Sequence, residues 1–248
     1  LGANNIGGFF AEPIQASGGV IVPPDGYLRR IREVCKSHNI LFVADEVVTA
    51  FGRLGHWFAS EDEFDMIPDI ICSAKGLSSG YLPIGAMIYS NKVHEVISQS
   101  ESGYFTSGFT YAGHPVSCAA ALKNIEIMER ENILKNAHDV GLYFENKLAN
   151  LNDLPLVGNV RGKKMMMCVE NVANKETKEL LPDDLNVGKL ISNKAEELGL
   201  LVRPLGHLNV MSPSLTITVE DIDFIELNLK KAIMSVTDDL VRSGHKIS

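Results

Sequence analysis

Two stretches of this sequence end an apolar run with an ionisable side chain. Residues 41–44 lead directly into Asp45 and Glu46, and residues 70–72 are followed, after two small residues, by Lys75. Short apolar runs of this kind are typical of strands buried on both faces of a parallel sheet. Because ligands in such sheets bind outside the carboxyl ends of the strands, we expect Asp45 and Lys75 to converge on one small molecule.

The types of these residues favour one cofactor chemistry. A lysine whose pKa is lowered by partial desolvation can hold a carbonyl cofactor as a Schiff base. A carboxylate opposite the lysine suits the pyridinium nitrogen of pyridoxal phosphate, whose ring draws electrons from the substrate. From the spacing alone the commoner alternative stays open, in which the aspartate caps the next turn and Lys75 faces solvent in a glycine loop.

Longer blocks of sequence resemble the class III (ω-type) aminotransferases, which belong to the fold type I family of pyridoxal-phosphate enzymes. Five blocks in family order carry this resemblance: Glu12-Pro13-Ile14-Gln15-Ala16-Ser17-Gly18-Gly19 with Pro23-Pro24; Ala44-Asp45-Glu46-Val47 through Phe51-Gly52-Arg53; Ser73-Ala74-Lys75-Gly76-Leu77; Gly108-Phe109-Thr110-Tyr111-Ala112-Gly113-His114-Pro115; and Val202-Arg203-Pro204 with Ser212-Pro213.

The resemblance and the element pattern together predict an α/β fold with a mostly parallel sheet. Strand and helix signals alternate in the first half, as expected for βα units. We assign residues 1–136 to part of the cofactor-binding large domain and residues 137–248 to a smaller α+β carboxyl-terminal domain. At the level of elements, we expect Asp25 to cap a helix and residues 200–202 to form a strand.

The resemblance implies four residues for the cofactor. Lys75 would form the Schiff base with pyridoxal phosphate and, once displaced, would move a proton at the substrate Cα. Asp45 would pair with the protonated ring nitrogen. Val47, placed on the same strand face by the period-two rule, would pack on the flat of the ring. Thr110 would reach the cofactor phosphate of a partner subunit, although a threonine that caps the helix near Pro115 is the structural alternative.

Two further residues are implied for the substrate. Arg203 lies where some amine:pyruvate-type members keep a mobile arginine, whose fork would hold a substrate carboxylate. Ornithine- and γ-aminobutyrate-type members carry an arginine at position 210, whereas this chain has Val210 there. The resemblance therefore disfavours those two specificities. Glu12 matches the glutamate that pairs with that missing arginine. At position 48, where much of the family has a glutamine for the cofactor's phenolic oxygen, this chain has Val48.

Composition excludes several other classes of protein. The net charge of −8, without any lysine and arginine cluster, argues against a nucleic-acid partner. No apolar run approaches the ~18 residues that span a bilayer, and nothing resembles a signal peptide. The four cysteines are dispersed without a Cys-x-x-Cys motif, and the seven histidines lack ligand spacing. We therefore expect a cytoplasmic protein without a metal site.

The expected reaction is transfer of an amino group from an amine or ω-amino acid to a keto acid, with pyruvate as the expected acceptor. A diaminopelargonate synthase-like aminotransferase, or a class III mutase or decarboxylase, would use the same lysine and aspartate. A dinucleotide oxidoreductase is disfavoured, because no Gly-x-Gly-x-x-Gly follows a strand. We expect a homodimer or dimer of dimers with shared sites.

The amino end of the sequence suggests a partial chain. Residue 1 is Leu, and the sequence leads at once into a segment that resembles a core strand. Family members are considerably longer at that end, so we expect this chain to be the carboxyl-terminal part of a longer protein. The phosphate-cradling loop would then be missing, which leaves a catalytically silent fragment as an alternative.

Overall fold

The computed structural model describes residues 2–101 and 103–248. The chain forms two compact units: one contains the chain as far as Ile14 together with Pro23–Leu134, and the other contains Gln15–Val22 together with Lys135–Ser248. The sequence pattern did not indicate that residues 15–22 pack with the carboxyl-terminal part. The assignment of a large-domain portion and a small domain divided at residue 136 stays a prediction.

Seven α-helices and eight strands are found among the described residues. The helices are α1 (Tyr27–Ser37), α2 (Ala59–Asp62), α3 (Asn91–Ser98), α4 (Pro115–Arg130), α5 (Ile133–Ala149), α6 (Val187–Glu197) and α7 (Val219–Arg242). The strands are β1 (Gly8–Ala11), β2 (Leu41–Asp45), β3 (Ile70–Ser73), β4 (Ala86–Tyr89), β5 (Val157–Lys163), β6 (Met166–Asn171), β7 (Arg203–Leu205) and β8 (Leu208–Met211).

The sheet of the first unit contains β1, β2, β3 and β4 in that order. Strands β1, β2 and β3 run parallel, whereas β4 is antiparallel to β3. Phe42, Val43 and Ala44 in β2 are buried, because this interior strand is covered on both faces. The predicted α/β fold with a mostly parallel sheet is confirmed.

The sheet of the second unit is antiparallel throughout, in the order β5-β6-β8-β7. Apolar residues of α5, α6 and α7 form one core with Met167 and Val169 of β6. Because side chains alternate along a strand, Cys168 and Glu170 project from the opposite face of this sheet. The second unit therefore has one sheet face in its core and one face that presents polar side chains.

Three details differ from the sequence expectations. Helix α1 is capped by Gly26, at φ 74°, without a side-chain cap, so the prediction that Asp25 caps it is wrong. The strand predicted at residues 200–202 is also wrong, because these residues form no regular element and β7 begins only at Arg203. Strand β5 was not predicted, since its glycines and polar residues hide any alternation.

The turn before β7 is fixed by the end of helix α6. Gly199, at φ 83°, donates its amide to Glu196, and Leu200 donates to Ala195, which is the Schellman pattern of a helix end. Gly199 therefore ends helix α6. The stop directs the chain into the strand that starts with Arg203.

Candidate active site

Three acidic or basic side chains follow strand ends on one edge of the first unit's sheet. Glu12 comes directly after β1, Asp45 is the last residue of β2, and Lys75 follows β3 after one intervening residue. The strands are parallel, and Asp45 is paired in register with Cys72 of β3. The carboxyl ends of β1, β2 and β3 therefore present these residues at the same edge, which is where ligands bind in open α/β sheets.

Asp45 is half-buried and uses one carboxylate oxygen to order the chain that follows it. Its Oδ1 accepts a hydrogen bond from the Val47 amide at 3.1 Å. The Asp45 carboxylate also helps raise the pKa of the Cys72 thiol, an effect whose larger cause is burial of the thiol. Within the described ranges Oδ2 makes no hydrogen bond, so it is available for a cationic or protonated ligand atom.

Val47 does not occupy the predicted strand position. Strand β2 ends at Asp45, and residues 47–50 form a turn, so the period-two argument for its orientation is wrong. The cause is the Asp45 side chain, which captures the Val47 amide and bends the chain. Contact of Val47 with a cofactor ring stays a prediction.

Glu46, which sequence reasoning did not single out, holds the loop between β2 and β3. It is fully buried, and its carboxylate accepts hydrogen bonds from the amides of Ala59 at 2.7 Å and Ser60 at 2.9 Å. The hydroxyls of Thr49 and Ser60 also donate to it. The partners lie up to 14 residues away in the chain, so no local motif announces this role.

Lys75 is solvent-exposed on a backbone that is held firmly. Its φ of 42° lies in the left-handed region, which non-glycine residues rarely occupy and which is common at functional sites. The amide of Asn124 in α4 donates to the carbonyls of Gly76 at 2.9 Å and Leu77 at 3.1 Å. A Cβ on Gly76 would lie 3.0 Å from Cβ of Phe51, so the turn also packs against the loop after β2.

The Lys75 amine and the nearby Ser73 hydroxyl both lack a hydrogen-bond partner among the described residues. In the part of the chain that the structure describes, the amine makes no hydrogen bond or ion pair. Oγ of Ser73 is buried and has no hydrogen-bond partner among the same residues. An amine on a fixed turn, at the same sheet edge as a carboxylate with one uncommitted oxygen, fits the donor set that a pyridine aldehyde cofactor requires.

Thr110 lies in a turn within an exposed loop of the first unit. Helix α4 is capped instead by His114, whose Nδ1 accepts from the Ser117 amide at 3.4 Å, with Pro115 in the first turn. The alternative in which Thr110 caps this helix is therefore wrong. Its contact with the phosphate of a partner subunit stays a prediction.

Arg203 lies in the second unit, at the start of the edge strand β7, and is exposed. The β7–β8 register pairs it directly with Val210. Directly opposed residues of an antiparallel pair project from the same face with Cβ atoms roughly 5 Å apart. An arginine at 203 can therefore present its guanidinium from the same patch of sheet as an arginine at 210 would.

Arg53, in the loop held by Glu46, is the one described arginine whose pKa falls well below its ordinary range. Burial lowers the pKa of its guanidinium to about 10.

Among the described residues, no group of three or more histidine, cysteine, aspartate or glutamate side chains is arranged to hold a metal ion. No helix in the same residues is long and apolar enough to cross a membrane.

Comparison with known proteins identifies the family. The model of the class-III aminotransferases matches residues 1–233, and the chain belongs to this family of transferases. It is 43% identical to the putrescine–pyruvate aminotransferase of Pseudomonas aeruginosa, over 90% of this chain and 48% of that protein. It is 39% identical to a chloroplastic γ-aminobutyrate transaminase of Solanum lycopersicum, over 94% of this chain and 45% of that protein.

The fold comparison agrees with the family. A thermostable (S)-enantioselective ω-transaminase from Thermomicrobium roseum superposes with a TM-score of 0.90 at 39% identity, over 95% of this chain and 52% of that one. The chain spans about half the length of the curated relatives it matches. Pyridoxal phosphate is the cofactor that this family implies, and the residues at the sheet edge fit it.

Proposed function

We propose that this chain carries the amino-transferring chemistry of an aminotransferase that moves an amino group from an amine or ω-amino acid to pyruvate. The observation that carries the proposal is the Lys75 amine on its fixed turn, at the same sheet edge as Asp45. The 43% identity to a putrescine–pyruvate aminotransferase supports the choice of donor and acceptor class.

Pyridoxal phosphate, when bound, supplies an aldehyde that captures amines and a ring that withdraws electrons from the substrate. Lys75 would hold the cofactor by a Schiff base and, when a substrate amine takes its place, would take the proton from the substrate Cα and deliver it to carbon C4′ of the cofactor. A base fixed beside the bond that it breaks contributes about 10²- to 10⁴-fold to the rate. The clamped backbone and exposed side chain of Lys75 suit both roles.

Asp45 would accept a hydrogen bond from the protonated ring nitrogen, and this bond would keep that proton in place. Its Oδ2 is available for this bond because only Oδ1 is used by the Val47 amide. Val47 would pack against the ring, and Thr110 would donate its hydroxyl to the phosphate of the partner's cofactor. The shared sites imply a homodimer or a dimer of dimers.

Arg203 would bind the carboxylate of the keto acid or amino acid. Its planar guanidinium matches a carboxylate in two parallel hydrogen bonds, and its exposed place on an edge strand lets it turn away for an uncharged amine. With Val210 opposite, Glu12 would lack the arginine partner that the γ-aminobutyrate-type site needs. We therefore favour an amine as the donor. The dispersed cysteines, without a disulfide framework, support a cytoplasmic location for the enzyme.

The test of the cofactor role is chemical trapping on the complete protein. After incubation with pyridoxal phosphate, borohydride reduction and peptide mapping should find the adduct on Lys75. Lys75→Ala should lose the visible absorbance band and at least about a hundredfold in turnover. Lys92→Ala, which changes an exposed lysine of α3, should behave like wild type. Near wild-type turnover in Lys75→Ala would remove the mechanism.

The test of the carboxylate role compares two half-reactions. Arg203→Ala should raise KM for alanine and pyruvate by about tenfold or more while leaving a simple aryl amine nearly unaffected, since only the first two have a carboxylate. Arg203→Lys should recover part of the loss, because it keeps the charge but not the fork. Equal losses for both kinds of substrate would remove Arg203 from this role.

A further inference from the structure

Glu170 of β6 contacts both β5 and the β7–β8 hairpin through its two carboxylate oxygens. One oxygen forms an ion pair with Arg161 of β5, and the other lies 3.3 Å from Nε2 of His207. His207 is in the two-residue turn of the β7–β8 hairpin, and Arg203 begins that hairpin. Glu170 therefore links β5 to the hairpin that presents the proposed carboxylate-binding arginine.

The backbone of the hairpin turn is fixed independently of these side chains. Asn171 donates to the His207 carbonyl from its backbone amide at 3.1 Å and from its side chain at 2.7 Å. The amide of Gly188 donates to the Gly206 carbonyl at 3.0 Å. Because the backbone is held in this way, the His207 ring is a firm point from which Glu170 is oriented.

Arg161, which Glu170 holds, also binds the segment 15–22, which lies against the sheet. Its Nε donates to the Gly19 carbonyl at 2.7 Å. A Cβ on Gly19 would lie 2.6 Å from Cδ1 of Leu208 and 2.9 Å from Nη2 of Arg161, so the segment packs closely on β8. Two reciprocal backbone hydrogen bonds between Gln15 and Ile21 close the segment into a small loop.

The register places Arg161 and Arg203 in one row across the sheet. Arg161 is paired with Cys168, Cys168 with Val210, and Val210 with Arg203. Directly paired residues project from the same face, so this face presents two guanidinium groups. Arg161 is neutralised by Glu170, whereas Arg203 makes no ion pair among the residues that the structure describes.

We propose that Glu170 is a positioning residue for carboxylate recognition by Arg203. By holding Arg161 and His207, Glu170 keeps the guanidinium of Arg161 away from substrate and fixes the hairpin and the segment 15–22 against each other. Arg203 is then the one cation of the row that a substrate carboxylate meets. This inference rests on the proposed role of Arg203.

The test measures the two half-reactions separately in the complete protein. Glu170→Ala releases both partners, so KM for pyruvate and alanine should rise by about tenfold, while an aryl amine changes less than about twofold. Glu170→Gln keeps hydrogen bonds to both partners and should recover most of the loss. Equal effects on both kinds of substrate, or no effect on either, would overturn the proposal.

Two matched comparisons separate positioning from general destabilisation. His207→Ala should reproduce the rise in KM, whereas His207→Gln, which can still bond to Glu170, should restore it. Arg242→Gln breaks an exposed ion pair with Asp239 in the same unit and should leave KM unchanged. If Arg242→Gln raised KM as much as Glu170→Ala, the effect would be nonspecific and the proposal would fail.

Hydrogen exchange supplies a readout that does not depend on activity. Amides of residues 15–22 should exchange faster in Glu170→Ala than in Arg242→Gln, because only the first variant frees Arg161, which holds the Gly19 carbonyl, whereas the hairpin backbone keeps its own hydrogen bonds. If the wild-type protein transfers no amino group, the proposed function fails, and exchange alone decides the structural link. Equal exchange in both variants would then overturn the inference.

Discussion

Removal of the Glu46 side chain should weaken the loop that carries the proposed cofactor residues. Glu46→Ala leaves the amides of Ala59 and Ser60 buried without their acceptor. A hydrogen bond to a charged group contributes about 1.5–3 kcal/mol, and the two hydroxyl donors can turn to other partners, so we expect a loss of about 3–5 kcal/mol in the free energy of unfolding.

Trp57 makes this loss directly measurable. It is the only tryptophan of the chain, and its carbonyl accepts from the Phe51 amide at 2.8 Å within the same loop. The two rings meet nearly edge to face, with centroids 6.1 Å apart. Urea unfolding followed by tryptophan fluorescence therefore reports the stability of the segment that Glu46 holds.

Two variants bracket the expected result. Glu46→Gln keeps one oxygen as an acceptor and should lose about 1–3 kcal/mol. Glu61→Ala changes an exposed acid of the same segment and should lose less than about 0.5 kcal/mol. A loss below about 1 kcal/mol in the free energy of unfolding of Glu46→Ala would refute the reasoning, because two buried amides without an acceptor destabilise a protein by more than that.

Two other predictions concern the sheet edge and the second unit. Asp45→Asn removes the charge that helps raise the pKa of the Cys72 thiol, so a larger fraction of Cys72 should be thiolate, the form that reacts. At pH 8, the alkylation rate of Cys72 relative to that of Cys118 should rise by about twofold or more, as measured by peptide mapping. An unchanged ratio would contradict this expectation. Gly188→Ala places a Cβ 2.5–2.6 Å from two backbone carbonyls of the β7–β8 hairpin and should cost at least about 2 kcal/mol by urea unfolding. Gly206→Ala, which meets only backbone strain at φ 59°, should cost about 1 kcal/mol, and equal costs would argue against the packing explanation.

The elements that hold Asp45 and Lys75 could be predicted because their signals are local. The apolar run of β2 ends at an acid, and that of β3 is followed closely by Lys75, so both residues were expected at one sheet edge. The roles expected for these residues came from the family resemblance alone. Local pattern and family resemblance thus agreed on the edge, and the parallel register of the strands accounts for why.

What escaped prediction depends on contacts between distant residues. Glu46 looks like any acid after a strand until Ala59 and Ser60 fold back onto it. Strand β5 has glycine and charged residues where a half-buried strand would show alternation, and it is stabilised by pairing with β6. The predicted orientation of Val47 was wrong for a local reason, because the Asp45 side chain bonds to the Val47 amide and ends the strand at Asp45.

The placement of residues 15–22 has a consequence for how the chain acquires its structure. Gly19 and its anchor Arg161 are 142 residues apart, so at a synthesis rate of about 5–20 residues per second the segment waits roughly 7–30 seconds for its partner. Until then only the short Gln15–Ile21 loop can form locally. Truncation at residue 134 would therefore leave residues 15–22 without the sheet on which they pack.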